Sequence, residues 1–407
     1  MAPKLAHPIN GIETTGDEIF LDHYMNVLSF KFTVEGEPME NIFRSTLFKM
    51  AMEYPPLMHS VLALSGKHID FDSPASLQLL REHPDVDIPS LEERLQYHNA
   101  LALSELREGL NRQRQEDQLI PATLGQMICL VLETLADPEP TGLHRLHLNY
   151  YKDLIKEKPL GDSDFLRFAK EFFGYHLGLD ELIFLPEADP LTGCFPVSNE
   201  WELPEAFVQP EVVHLLGVSD GLFYYMSKIT NLRNKIREMM RNGVQPPFDY
   251  SIFDPAGKIH TGLMNWKAAW PPGDPRDLAG ILYRQMLHVY LRRTVHPPNP
   301  TTWKIDERLI QEVDQGIAML EKFGPSERNQ TLILAPAFLL GCAAFKESQR
   351  DPIRKAIGTV KSYMNCKNSD SALLVLEEVW RLMDSKDPRS WDWQQIAKRM
   401  GMDFLAT

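Results

Sequence analysis

The side chains with which this sequence could do chemistry fall in a few short stretches. In LHRLHLNYYKDLI, His144 and His147 stand three residues apart, a spacing that puts two imidazoles on one helical face as metal ligands. The sequence places no third ligand beside them, so a structural use is favoured and no metal is expected. In FFGYHLGLDELIF, the polar residues Tyr175, His176, Asp180 and Glu181 interrupt an apolar run that also holds Gly174 and Gly178. A histidine beside acidic groups suits general acid–base work when it is dry and well placed. A buried polar network that fixes helix register is the competing use, and the favoured one.

In LAGILYRQMLHVYLRRTV, Arg284, His288 and Arg292 follow at four-residue spacing, beside Tyr283. That face could receive an anionic ligand or pair with acidic residues of a neighbouring helix, and the acidic excess of the chain favours pairing. Trp266 and Trp270, four apart beside a proline-rich stretch, could wall an apolar ligand. Tyr175, His176, Trp266, Trp270, Arg284 and His288 are therefore the candidate ligand-binding residues. Trp391 and Trp393 are expected to be packing residues, and Met226, Met239 and Met240 core filler. No G-x-S-x-G elbow, phosphate loop, H-E-x-x-H or dinucleotide fingerprint occurs, so catalytic residues stay unassigned and no cofactor is implied.

Composition narrows the function classes. The chain has 407 residues, 43% hydrophobic and 24% charged, which suffices for a large core. Its 56 acidic residues against 42 basic ones give a net charge of -14, a field that repels a nucleic acid. Arg233, Lys235, Arg237 and Arg241 cluster locally, at a spacing expected of a solvated helix face. The four cysteines, Cys129, Cys194, Cys342 and Cys366, are too far apart for a metal knuckle or redox pair, and buried free thiols are expected. No signal peptide is legible at the N-terminus. The longest apolar run, 332–345, is too short to span a bilayer and contains Pro336, so no membrane span is expected.

Helical periodicity dominates the elements that must position these residues. In IFRSTLFKMAMEY, Ile42, Phe43, Thr46, Leu47, Met50, Ala51 and Tyr54 form one stripe; Pro55 and Pro56 end that helix and open the next. Further helices are expected over 91–113, 121–135, 143–157, 164–185, 220–242, 277–295, 305–323, 335–347, 352–363 and 371–383. The fold class is thus all-α, a multi-helix array of about a dozen helices without significant sheet. The best alternating run, 30–34, is too short to support one. Linkers are expected at 71–89, 136–141 and 187–210, and a long irregular loop near 243–275, where QPPFDYSIFDPAGKIH and AWPPGDPRD are rich in proline and glycine.

Taken in order, FLDHYMNVLSF and NIFRSTLFKMAMEYPPLMHSVLALSGKHI resemble the opening of the fungal-specific transcription factor domain family, with its "NPFR…LA…P.LLHA.LALSA.H" pattern. The likeness continues through YHNALALSELREGL, ATLGQMICLVLETL, LHRLHLNYYKDLI and FLRFAKEFFGYHLGLDELI to APAFLLGCAAF, LLVLEEVWRLMD and WDWQQIAKRMGMDFL. It divides the chain into an N-terminal extension, 1–19, and a helical regulatory domain, 20–405. The resemblance implies a domain that normally follows a six-cysteine zinc cluster and that in a few members senses an apolar small molecule. No such cluster occurs here, so either it lies outside this sequence or the chain is a relative without one. The expected function is a regulatory, ligand-binding domain of a fungal transcription regulator, in the nucleus or cytoplasm. It would take an apolar small molecule or a partner protein, and would not itself bind nucleic acid. The alternative is a cofactor-independent enzyme of specialised metabolism, catalysing a cyclisation or rearrangement on the same scaffold; a homodimeric scaffold is a third option.

Overall fold

The computed structural model describes residues 9–34, 41–71, 73, 78, 80–116, 120–137, 141–157, 163–187, 221–244, 249–268, 270–298, 303 and 305–407. The expected linker at 187–210, with Cys194, falls almost wholly outside them. Among the described residues the chain is all-α, with sixteen α-helices and a lone bridge between Thr141 and Asp403 in place of a sheet. No described helix is long and apolar enough to cross a membrane. Two compact units are present: residues 1–137 with 143–173, and residues 138–142 with 174–407.

In the first unit, α1 (Thr15–His23) starts within the stretch expected as an extension, because Thr14 caps it. The Thr14 hydroxyl accepts from the Asp17 amide while the Asp17 carboxylate accepts from the Thr14 amide at 3.0 Å. Residues 24–28 and 43–47 are wider, π-type turns, the first leading into α2 (Ser29–Lys31) and the second into α3 (Phe48–Glu53). The 30–34 stretch is therefore no strand. Pro55 and Pro56 open α4 (Pro55–His68), where a missing amide hydrogen costs nothing. Leu57, Met58, Val61 and Leu62 are buried, each contributing roughly 1.5–3 kcal/mol relative to exposure. Beside α4 lie α5 (Ile88–Gln115), capped by Asp87, and α6 (Pro121–Glu133). Along α5 the buried residues Leu91, His98, Ala102, Leu106, Gly109 and Gln113 recur every three to seven positions, so only one stripe faces inward. α7 (His144–Glu157) and the first half of α8 (Asp164–Ile183) complete the unit, with Tyr151 stacked on Phe173 at 4.1 Å.

The second unit begins at Gly174 within α8. It adds α9 (Leu222–Arg241), α10 (Tyr250–Asn265), α11 (Pro275–Val295), α12 (Glu307–Leu320), α13 (Leu334–Gly341), α14 (Glu347–Met364), α15 (Asn368–Asp384) and α16 (Trp393–Met400). α11 is central and touches α9, α10, α12 and α13, which is why Leu282, Tyr283, Met286, Val289 and Tyr290 are buried around its circumference. The apolar run 332–345 is core, not membrane: α13 is buried along its whole length.

Three expectations are corrected. The irregular loop near 243–275 holds α10. Asp249 caps it by accepting from the Ser251 amide at 2.7 Å, and the buried Ile252, Ile259 and Leu263 outweigh the one bond lost at Pro255. The helix expected over 335–347 stops at Gly341. The next starts at Glu347 and runs through Pro352, with Arg350 bonded to Glu347 at 2.8 Å and Ile353 buried. The basic cluster on α9 is solvated only in part: Lys235 and Arg241 are exposed, but Arg233 and Arg237 point inward to the 391–394 segment.

Candidate functional site

A half-open pocket of about 630 Å³ lies in the second unit where α8 and α16 end, lined by Ile183, Phe184, Leu185 and Met402, with Lys398 and Asp403 supplying charge. Local geometry explains the walls. α8 closes as the Phe184 amide donates to the Asp180 carbonyl at 2.9 Å, leaving 184–185 outside the helix. Gly401, at φ 68°, ends α16 in the left-handed region that glycine tolerates, and the chain then turns so that Asp403 bridges Thr141. The Lys398 ammonium stands 3.6 Å from Glu187 in a solvent-exposed pair that contributes little to stability. Apolar walls with a few polar groups at the mouth are the usual build of a small-molecule site.

None of the six residues singled out from sequence lines this cavity. Tyr175 and His176 are buried, ring edge to face, 5.0 Å apart. The Tyr175 phenol accepts from the Thr407 hydroxyl at 3.2 Å and lies 3.5 Å from the Tyr283 phenol, which donates to the Leu332 carbonyl at 3.0 Å. Burial holds the Tyr175 and Tyr283 phenols above their usual range, so both stay protonated donors. Next to them, Gly178 does admit a close neighbour: a Cβ there would lie 2.9 Å from Met226.

Trp266, Arg284 and His288 do come together, on a half-buried face shared by α10 and α11. Arg284 donates to the Trp266 carbonyl at 3.5 Å with its guanidinium 5.8 Å from the indole, while the His288 and His260 rings are 5.5 Å apart. Burial, and then the His260, Arg284 and Arg292 charges, push His288 down to about 4, so it is neutral at pH 7. Trp270 goes elsewhere, against the Arg276 guanidinium at 3.4 Å. Arg292 takes the pairing use, bonded to Glu312 at 2.8 Å and Asp306 at 3.2 Å. In the first unit His144 is buried, and burial beside it pushes His147 down to about 4.

The chain matches the fungal specific transcription factor domain over residues 19–407, nearly its full length. It belongs to that family. Neither a curated protein nor a solved structure matches it.

Two polar arrangements in this fungal transcription factor domain were not legible in the sequence. In the first unit, Asp17, His98 and His59 form a chain: His98 Nε2 lies 2.8 Å from Asp17 Oδ1, and His98 Nδ1 lies 2.9 Å from His59 Nδ1. An ionised Asp17 has no proton to give, so His98 Nε2 donates to it, and a single proton lies between the two Nδ1 atoms of His98 and His59. Burial raises the Asp17 carboxyl, but hydrogen bonds from His98 and Arg94 more than reverse this and hold it well below the usual carboxylate range. Burial, then the His98 charge, pushes His59 down to about 4. In the second unit, Arg233 is sandwiched between Trp391 and Trp393, 4.0 and 3.5 Å from their ring centroids. The two indoles donate to the carbonyls of Arg293 and Leu182, at 2.8 and 2.9 Å. Trp391 and Trp393 are thus packing residues that also hold a buried cation. The WDW spelling was the available signal, but its partner stands 158 positions away in the chain.

Proposed function

We propose that this domain regulates transcription by holding an apolar small molecule, one that carries an acidic or carbonyl group, in the cavity between the ends of α8 and α16. The observation that carries this reading is the combination of about 630 Å³ of space, four apolar lining residues and the Lys398 ammonium among them. The volume falls within the roughly 300–1,000 Å³ typical of small-molecule pockets. A molecule seated there touches the last turn of α16, and its occupancy changes how firmly 401–403 is held. Membership of the family supports transcription as the output and the nucleus as the place.

The test is untargeted mass spectrometry of a fungal metabolite extract incubated with a substoichiometric amount of pure protein, beside a Leu185→Trp variant whose larger side chain fills the cavity. Retention of one apolar compound at about one per chain, lost in the variant, supports the reading. No retention, or equal retention by the variant, overturns it. Many-fold conversion of an extract component would instead make the scaffold a cofactor-independent enzyme.

A further inference from the structure

At the Trp391–Trp393 pair, two arginines are buried with donors that no described residue satisfies. Arg233 is 0% exposed and Arg293 2% exposed. One Arg233 nitrogen, Nη2, donates to the Trp391 carbonyl, but among the described residues Nε and Nη1 have no partner. Arg293 donates through Nε to the Cys342 carbonyl at 3.3 Å, and its Nη2 has no partner there either. The hydroxyls of Ser390 and Thr294, neighbours in sequence of Trp391 and Arg293, are buried and unpartnered as well. The Trp391 indole, donating to the Arg293 carbonyl at 2.8 Å, ties these segments together.

The charges do not balance. Asp392 is bonded to Arg237 through both its oxygens at 2.8 Å, so its nearest oxygen lies 3.9 Å from Arg233. Among the described residues no carboxylate pairs with Arg293. Cys342, which both guanidinium charges reach, cannot compensate as a thiolate, because burial raises its thiol well above the usual range. A guanidinium does not discharge by losing its proton under ordinary conditions. Arg233 thus shares its one carboxylate with Arg237; a buried cation with a shared counter-charge or none is costly, and each unmet donor adds about 1–3 kcal/mol.

We propose that Arg233 and Arg293 hold a small inorganic anion of chloride size inside the second unit, with the Ser390 and Thr294 hydroxyls available to it as further donors. The near-zero exposure of Arg233, Arg293, Trp391 and Trp393 leaves no route for a phosphate ester or an organic carboxylate, which sets the size of the ion. The ion is a structural part of the unit, separate from the cavity at α8 and α16, and its binding is independent of the regulatory reading.

The full chain is dialysed into sodium gluconate and then moved stepwise to sodium chloride or bromide at constant ionic strength, while its thermal midpoint is followed. The midpoint is expected to rise with halide and to climb linearly with the logarithm of its concentration above the dissociation constant. Arg293→Met, which keeps an unbranched apolar stem but removes the guanidinium, is expected to abolish that dependence. Should the variant fail to fold, anomalous diffraction from wild-type crystals grown in bromide decides the matter: a peak between Arg233 and Arg293 is the expected result. A midpoint indifferent to halide, or an ordered water at that position with bromide only at the surface, overturns the proposal.

Discussion

The Arg233 guanidinium stands over the Trp393 indole, 3.5 Å from its centroid, although the two residues stand 160 positions apart. This contact joins α9 to the start of α16, and the Trp393 indole nitrogen at the same time donates to the carbonyl of Leu182 in α8. Trp393→Ala is expected to cost about 3–5 kcal/mol, measured by urea unfolding. Trp393→Phe keeps an aromatic face for the cation but loses the donor, and should cost clearly less. Equal losses in the two variants would show that the ring contributes nothing to holding Arg233.

Asp17 supports the corner of the first unit through His98 and a two-bond pair with Arg94 at 2.9 and 2.8 Å. Asp17→Asn retains size but removes the charge, leaving a buried guanidinium edge and the His98 ring short of an acceptor. Breaking such a pair from one side costs about 3–5 kcal/mol when fully buried, and the partial exposure of Arg94 places the expected loss near the lower figure. A double-mutant cycle with Arg94→Met measures the coupling directly.

Acid should unfold the domain before its carboxylates titrate. His23, His59, His147 and His288 are each pushed down to about 4, chiefly by burial. Unfolded histidines take up protons near pH 6.5, so between that value and about 4 the unfolded chain holds more protons than the folded one. Stability is therefore full above the unfolded value and falls as pH drops through the window. The contribution of Asp17, whose carboxyl is held low, persists through this window and is lost only at lower pH. Chemical denaturation at a series of pH values should show the decline, and His59→Gln should make it shallower.

Gly316 and Gly358 make a matched pair in two helices. A Cβ at Gly316 would sit 2.6 Å from Leu340, whereas one at Gly358 meets nothing within 4 Å. Gly316→Ala is expected to destabilise by about 1–3 kcal/mol through overpacking. Gly358→Ala should stabilise by about 0.5–1 kcal/mol through helix entropy. Thermal midpoints moving in opposite directions are the expected outcome.

How much of this was legible in the sequence follows from the range of each interaction. Pro55 and Pro56 marked the α3–α4 junction, and the stripe of α9 gave that helix to within two residues, because both signals are local. α10 was missed because Pro255, Gly257 and Gly262 lie inside it, and because only Ile252, Ile259 and Leu263 face inward. Its outer side mixes the exposed Tyr250, Phe253 and Met264 with Asp254 and Lys258, so the polar face that would define the period is interrupted. Among the candidate residues, spacing put Arg284 and His288 on one face but did not place Trp266 beside them. It was silent about the cavity, whose walls come from 183–185 and 398–403 and are apolar residues with no motif. The inward turn of Arg233 was equally hidden, since spacing of four describes a helix face without saying what that face meets.

The placement of the buried thiols gives the molecule a pair of built-in clocks. Cys129 lies in the first unit and Cys342 in the second, both buried and both with thiols raised by burial, so neither reacts until its surroundings open. An alkylating reagent added in excess then records how often each unit opens, residue by residue, in peptides told apart by mass. Without any label being engineered, the rate at Cys129 and the rate at Cys342 report whether the two halves of the chain breathe together or on separate schedules.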